Sequence, residues 1–105
     1  MKTRQAIQVH PKDNVVTALE ALPEGTQVDV GGTGGAADRR ITLQEAIAFG
    51  HKFAIEAITT GSPVTKYGET IGLATQPIHV GEWVHVHNIE STRGRGDLAP
   101  SRGVG

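Results

Sequence analysis

The run Trp83-Val84-His85-Val86-His87 holds two histidines whose type and spacing suit chemistry. In a strand, residues i and i+2 project from one face, so the two imidazoles would stand about 6–7 Å apart. Both can then ligate one divalent metal. The same spacing also suits two histidines packed on a half-exposed face without a metal, because the sequence defines no third ligand. His51 follows Gly50 at an expected turn and precedes Lys52; polar groups held at a rigid bend favour binding roles. Lys66-Tyr67-Gly68 sets a second ammonium beside a phenol. Such lysines can grip a carboxylate or, once desolvated, exchange a proton, although ordinary solvation at a strand end is the plainer reading of either one alone. Arg93 and Arg95, spaced by one glycine, can clamp an anionic substrate or dock an acidic partner, where a solvated tail is the commoner role. His10 and His79 lack partners in sequence and read as surface or packing residues.

These groups need rigid elements behind them, and composition limits what those can be. The chain has 105 residues and a mass of 11.1 kDa, which is one domain's worth. A chain of that size can bury about 65% of its extended surface. A formal net charge of -1 and a pI near 6.5 exclude a protein that works through a strongly basic field on nucleic acid or anionic lipid. Aromatic residues at 4% are too sparse for a surface that stacks single-stranded bases. The absence of cysteine removes disulfides, thiolate metal sites and thiol nucleophiles. No secretory leader and no run of about 20 apolar residues is evident, so a soluble cytoplasmic protein without a membrane role is expected.

Fourteen glycines and five prolines demand frequent turns, and a mostly β fold with one short helix is predicted. Residues 5–10 alternate as a strand closed by Pro11. Val15, Val16, Ala18, Leu19 and Leu22 match one helical face behind Asp13 as N-cap, which predicts a helix over 14–21. Strands are expected at 26–30, 64–67, 71–74 and 83–87, the last being the clearest. The segment 42–49 is ambiguous, since Thr42 and Glu45 fit a capping box. Residues 31–38 hold no apolar side chain larger than alanine and read as a flexible glycine-rich loop; the lysine and flanking elements of a phosphate loop are missing. Residues 1–92 form the expected domain and 93–105 a mobile tail. One template recurs at uneven intervals: Leu22-x-x-Gly25-x-x-Val28, Ile47-x-x-Gly50-x-x-Phe53, Ile58-x-x-Gly61-x-x-Val64 and Ile78-x-x-Gly81-x-x-Val84. In each, an apolar anchor and a glycine turn the chain before a strand starts. The uneven intervals mark turn chemistry rather than a solenoid or duplicated domains.

Taken in order, Gly50-His51-Lys52, Lys66-Tyr67-Gly68, Ile71-Gly72, Gly81-Glu82 and His85-Val86-His87-Asn88 resemble the altronate and galactarate dehydratase family, specifically its small SAF-type module with a β-clip fold of short bent strands. The similarity covers about 41–97, with His10-Pro11-Lys12-Asp13-Asn14 also fitting. The resemblance implies a hydro-lyase that converts a sugar acid to a 2-keto-3-deoxy acid, with iron or manganese held mainly by a large partner subunit. It implies catalytic roles for His51, His85 and His87, with His85 and His87 as candidate metal ligands. Substrate binding would fall to Lys52, Lys66, Tyr67, Arg93 and Arg95. The alternatives are a non-catalytic SAF-type module for sugar binding or assembly, and the small subunit of a sulfolactate sulfo-lyase. A homo-oligomer is left open.

Overall fold

Four turns of one design set the architecture, and each lies on a copy of the glycine template. In the computed structural model, which describes residues 5–32 and 39–91, Gly25, Gly50, Gly61 and Gly81 adopt φ values of 84°, 82°, 85° and 88°. Each glycine is the third residue of a turn closed by a bond from the fourth N–H to the first carbonyl: Thr26 to Pro23, His51 to Ala48, Ser62 to Thr59, Glu82 to His79. A left-handed third residue is the type II signature, and glycine adopts it without a Cβ penalty.

The copies then pair. Leu22 and Ile47 exchange both backbone hydrogen bonds at 2.8 Å, as do Ile58 and Ile78. The glycine N–H groups continue the pattern, reaching the carbonyl four residues before the partner anchor: Gly25 to Leu43, Gly50 to Ala18, Gly61 to Ala74, Gly81 to Ala54. Two of these turn pairs fold the chain back on itself. All four anchors are at most 3% exposed, a burial that contributes about 1.5–3 kcal/mol each.

Among the described residues nine strands run between the turns: β1 Ala6–Gln8, β2 Val15–Ala18, β3 Gln27–Gly32, β4 Arg39–Thr42, β5 Lys52–Ala54, β6 Pro63–Lys66, β7 Glu69–Ala74, β8 Trp83–Val84 and β9 Ile89–Ser91. Six form a sheet in the order β4-β3-β1-β2-β5-β8, and three form β6-β7-β9. The pairings are antiparallel except β1 with β3. The β2-β5-β8 end of the large sheet is buried on both faces. Val16, Phe53 and Trp83 face one core with Leu22 and Ile47; Val15, Ala54 and Val84 face a second with Ile58 and Ile78. Consecutive residues of one strand thus serve two cores.

The mostly β architecture of short strands agrees with expectation, but the helix over 14–21 does not form. Residues 15–18 are β2, bonded to β1 and β5 on its two sides. The apolar spacing that fits a helical face fits equally a strand covered on both faces, and the β-branched Val15 and Val16 favour the strand. Leu19, counted toward the helical face, is 45% exposed. The ambiguous 42–49 segment is also not helical; the Glu45 carboxylate accepts the Trp83 N–H at 3.1 Å instead of closing a capping box.

Two further expectations change. The first two glycines of the expected loop belong to β3, where Gly31 and Gly32 pair in parallel with Ile7 and Gln8. Ladder bonds use only backbone, so the missing side chains are no obstacle. The strand expected over 83–87 stops at Val84, because the Asn88 side chain takes its next groups: Asn88 Nδ2 donates to the Trp83 carbonyl at 2.7 Å and Oδ1 receives the His85 N–H at 2.9 Å. Residues 33–38 and the tail from 93, with Arg93 and Arg95, lie outside the described residues. Among the described residues no helix is long and apolar enough to cross a membrane.

Candidate functional site

Among the described residues, two clusters hold the candidates, and they stand on opposite faces of β5. Phe53 and Trp83 are register partners on one face, and His51 and His85 extend that alternation by one step each. Their rings meet around Trp83. The His85 ring stacks on it at 5.1 Å and 11° from parallel, while His51 and His87 tilt against it at 5.8 and 4.9 Å. His51 and His85 lie 5.5 Å apart. The three histidines therefore share one aromatic cluster, although the turn at 85–88 rather than a strand brings them together. Asn88 fixes that turn, and the Phe49 carbonyl oxygen lies 3.3 Å from His51 Nδ1. Phe49 and Val86, 69% and 79% exposed, lie on the turns that carry these histidines. Inside the cluster, the buried Trp83 Nε1 has no hydrogen-bond partner among the described residues.

An open cleft of about 350 Å³ borders the cluster at His87, lined also by Glu45, Gln76, His79 and Glu82. His79 is fixed locally: its N–H donates to Glu82 Oε1 at 2.7 Å, and its Nδ1 lies 3.4 Å from the same oxygen. Among the described residues no three His, Asp or Glu side chains converge so as to hold a metal ion. His85 and His87 are packed against an indole, and the carboxylates of Glu45 and Glu82 are engaged by backbone N–H groups. These residues do not fit a self-contained metal centre.

The second cluster is cationic. Lys52 is the register partner of Thr17 and Val84, on the face away from Phe53, and Lys66 ends β6 beyond an irregularity after Val64 and is itself buried. The Lys66 ammonium lies 3.8 Å from the centre of the Tyr67 ring. Lys52 is held below the usual lysine pKa chiefly by burial and next by the charge of Lys66, with Tyr67 acting in the opposite direction.

Behind this cluster stands Asp13, 1% exposed. Its Oδ2 accepts the N–H groups of His10 at 3.1 Å and Tyr67 at 3.0 Å, and its Oδ1 accepts that of Gly68 at 2.8 Å. Tyr67 and Gly68 form the two-residue β6–β7 hairpin with φ values of 58° and 77°, the left-handed pair of a type I′ turn. That conformation costs a non-glycine residue about 1–2 kcal/mol, and the Asp13 bonds offset it. A Cβ on Gly68 would lie 2.8 Å from the His10 ring, so His10 packs the hairpin from outside, in keeping with its expected packing role.

Asp13 and Trp83 were missed as site residues. The Tyr-Gly dipeptide between two strands calls for positive φ and leaves two N–H groups seeking an acceptor, a signal that points to a buried carboxylate but not to which one. Trp83 precedes His85 and His87 at spacings of two and four, a same-face pattern readable from the sequence.

The family profile described as "Altronate/galactarate dehydratase SAF domain" matches residues 4–92. The chain is 44% identical over 84 residues to an altronate dehydratase of Escherichia coli, covering 80% of this chain and 16% of that protein. It is 38% identical over 89 residues to a (2R)-sulfolactate sulfo-lyase subunit alpha of Chromohalobacter salexigens, covering 81% of this chain and 93% of that subunit. A galactarate dehydratase (L-threo-forming) of Escherichia coli is 34% identical over 80 residues, 14% of its length. The chain thus spans about a sixth of the dehydratases it matches and nearly the whole of a sulfo-lyase subunit. With the match running through both clusters, this chain belongs to the SAF-domain family of altronate and galactarate dehydratases.

Proposed function

We propose that this chain is the small subunit of a sugar-acid hydro-lyase, which helps a larger catalytic chain dehydrate altronate- or galactarate-type acids to 2-keto-3-deoxy acids in the cytoplasm. The observation that carries the reading is the gathering of His51, His85 and His87 on one indole in a chain of this family. Dehydration of a 2,3-dihydroxy acid requires removal of the α-proton, stabilisation of the enediolate and protonation of the departing hydroxide. Imidazoles aligned by packing are suited to the proton transfers. Lys52, Lys66 and Tyr67, on the other face of β5, are suited to a carboxylate away from the reacting carbon, as in a diacid of the galactarate type, and Arg93 and Arg95 are also assigned to substrate binding. Iron or manganese, where the reaction uses it, would stabilise the enediolate from ligands on the larger chain.

The test is reconstitution. Purified chain is mixed with its larger partner, and keto-acid formation from altronate and galactarate is followed. A rate equal to that of the partner alone refutes the subunit role. His85→Ala and His87→Ala in the mixture test the imidazoles, and unchanged activity removes them from the site.

One observation favours a second reading. The chain is 38% identical over 89 residues to a (2R)-sulfolactate sulfo-lyase subunit alpha, with the match covering 93% of that subunit. Release of sulfite from sulfolactate in the same mixture would select that reading, and sugar-acid binding without turnover in any mixture would leave a non-catalytic binding or assembly module.

A further inference from the structure

We infer that the open cleft beside His87 is a polyol subsite, in which Glu45, Gln76, His79, Glu82 and His87 hold a run of vicinal hydroxyl groups. The inference rests on the sugar-acid reading given above and deepens it. Altronate and galactarate carry such a run, whereas sulfolactate carries a single hydroxyl group.

The cleft measures about 350 Å³, within the range of small-molecule sites, and its lining is polar apart from Pro77. Each carboxylate is anchored by one oxygen and leaves the other unused. Glu45 Oε2 receives the Trp83 N–H at 3.1 Å; Glu82 Oε1 receives the His79 N–H at 2.7 Å and lies 3.4 Å from His79 Nδ1. Glu45 Oε1 and Glu82 Oε2 have no hydrogen-bond partner among the described residues, and neither has the His87 ring. Gln76 engages only its Nε2, which reaches the His87 carbonyl at 3.4 Å. Hydroxyl groups both donate and accept, so a polyol matches carboxylate and amide acceptors set among imidazole nitrogens. Other ligand classes match less well. Two carboxylates repel an anion, and among the described residues no three side chains converge on a metal ion. A lone ammonium or guanidinium would engage the carboxylates and leave the imidazole donors unmatched.

The lining is fixed before a ligand arrives. Glu45 is tied to β8 through Trp83, and the neighbouring Gln44 N–H bonds the Gly81 carbonyl at 2.9 Å. Glu82 closes the type II turn over Gly81. Asn88, 3% exposed, locks the turn that carries His87. Acceptors so braced lose little freedom on binding. The cleft also meets the imidazole cluster at His87, whose ring lies 4.9 Å from that of Trp83. A hydroxylated chain seated there extends toward the proposed proton-transfer groups.

The experiment uses the full 105-residue chain without a larger partner. Galactitol, a hexanediol with terminal hydroxyls only, and methylguanidinium are titrated in separate arms at constant pH and ionic strength. NMR follows the side-chain amides of Gln76 and Asn88 and the ring protons of His79 and His87. Galactitol should give saturable shifts in the millimolar range, and the hexanediol, with as many carbons but no vicinal pair, only linear ones. Glu45→Gln and Glu82→Gln each keep an oxygen for the backbone N–H and lose the charge on the other. Each should weaken galactitol binding about fivefold, while Glu20→Gln, exposed and outside the cleft, leaves it unchanged. Thermal unfolding checks that the variants fold. Four results would overturn the subsite: no saturation with galactitol, equal shifts with the hexanediol, tighter binding of methylguanidinium, or saturation unaffected by both glutamine variants. Sugar-acid turnover in the reconstituted mixture without galactitol saturation rejects the subsite and keeps the hydro-lyase reading; galactitol saturation without turnover does the reverse.

Discussion

The carboxylate of Asp13 reaches across 55 positions of sequence to receive the Gly68 N–H at 2.8 Å. That bond and its neighbour to Tyr67 tie the β1–β2 connection of the large sheet to the hairpin of the small one. Replacing one acceptor oxygen by an amide strands a buried N–H, so Asp13→Asn should destabilise the fold by about 1–3 kcal/mol, read by urea denaturation. Full stability in that variant would show that the hairpin holds itself.

The four template glycines do not respond alike. Gly25, Gly50 and Gly61 have nothing within 4 Å of an added Cβ, whereas a Cβ on Gly81 would lie 2.2 Å from the Thr42 carbonyl oxygen. Alanine at the first three should cost about 1–2 kcal/mol for the left-handed backbone alone. Gly81→Ala adds a backbone clash and should cost at least ~1 kcal/mol more. Thermal melts of the four variants give the ranking, and four equal losses would contradict it.

Lys52 confers a pH dependence of known sign. Its folded pKa lies below its unfolded value near 10.5, so between the two the unfolded chain binds more protons than the folded one. Stability therefore rises with pH through that window. Below the folded pKa, the burial and repulsion penalty is present in full. Lys52→Met should flatten the rise and increase Tm at neutral pH. Denaturant midpoints from neutral pH to pH 10.5 check both statements.

In the reconstituted enzyme, the two clusters should separate kinetically. On the proposed roles, His85→Ala should lower kcat by about 100-fold with little change in KM. On the same proposal, Lys66→Met should chiefly raise KM, by roughly tenfold. An identical kinetic signature for both variants would contradict the division of roles.

The proposed contact with a larger chain should also be visible optically. The single tryptophan sits among the histidine rings, beside turns that expose Phe49 and Val86. Docking against that face should change Trp83 emission in proportion to complex formed, with stoichiometric saturation. Val86→Asp should weaken the change while leaving the chain's own stability within about 0.5 kcal/mol. Unaltered emission in an active mixture would place the interface elsewhere.

Much of this molecule is legible from residue order, because turns are local. A glycine three residues after an apolar anchor reverses the chain through φ and sterics alone, and all four such turns occur as read from the template. The motifs Gly50-His51-Lys52, Lys66-Tyr67-Gly68 and His85-Val86-His87-Asn88 likewise pointed to the family. What residue order left open is long-range. Val15-Val16-x-Ala18 satisfies a helical stripe and a two-faced strand equally, and only the presence of β1 and β5 on its two sides chooses the strand. Asp13 reads as a helix cap until the hairpin folds over it. His51 and Lys52 are chain neighbours that look like parts of one site, yet an extended backbone sends consecutive side chains to opposite faces. Local conformational preference determined where the chain turns; burial and hydrogen-bond satisfaction between distant segments decided which groups meet.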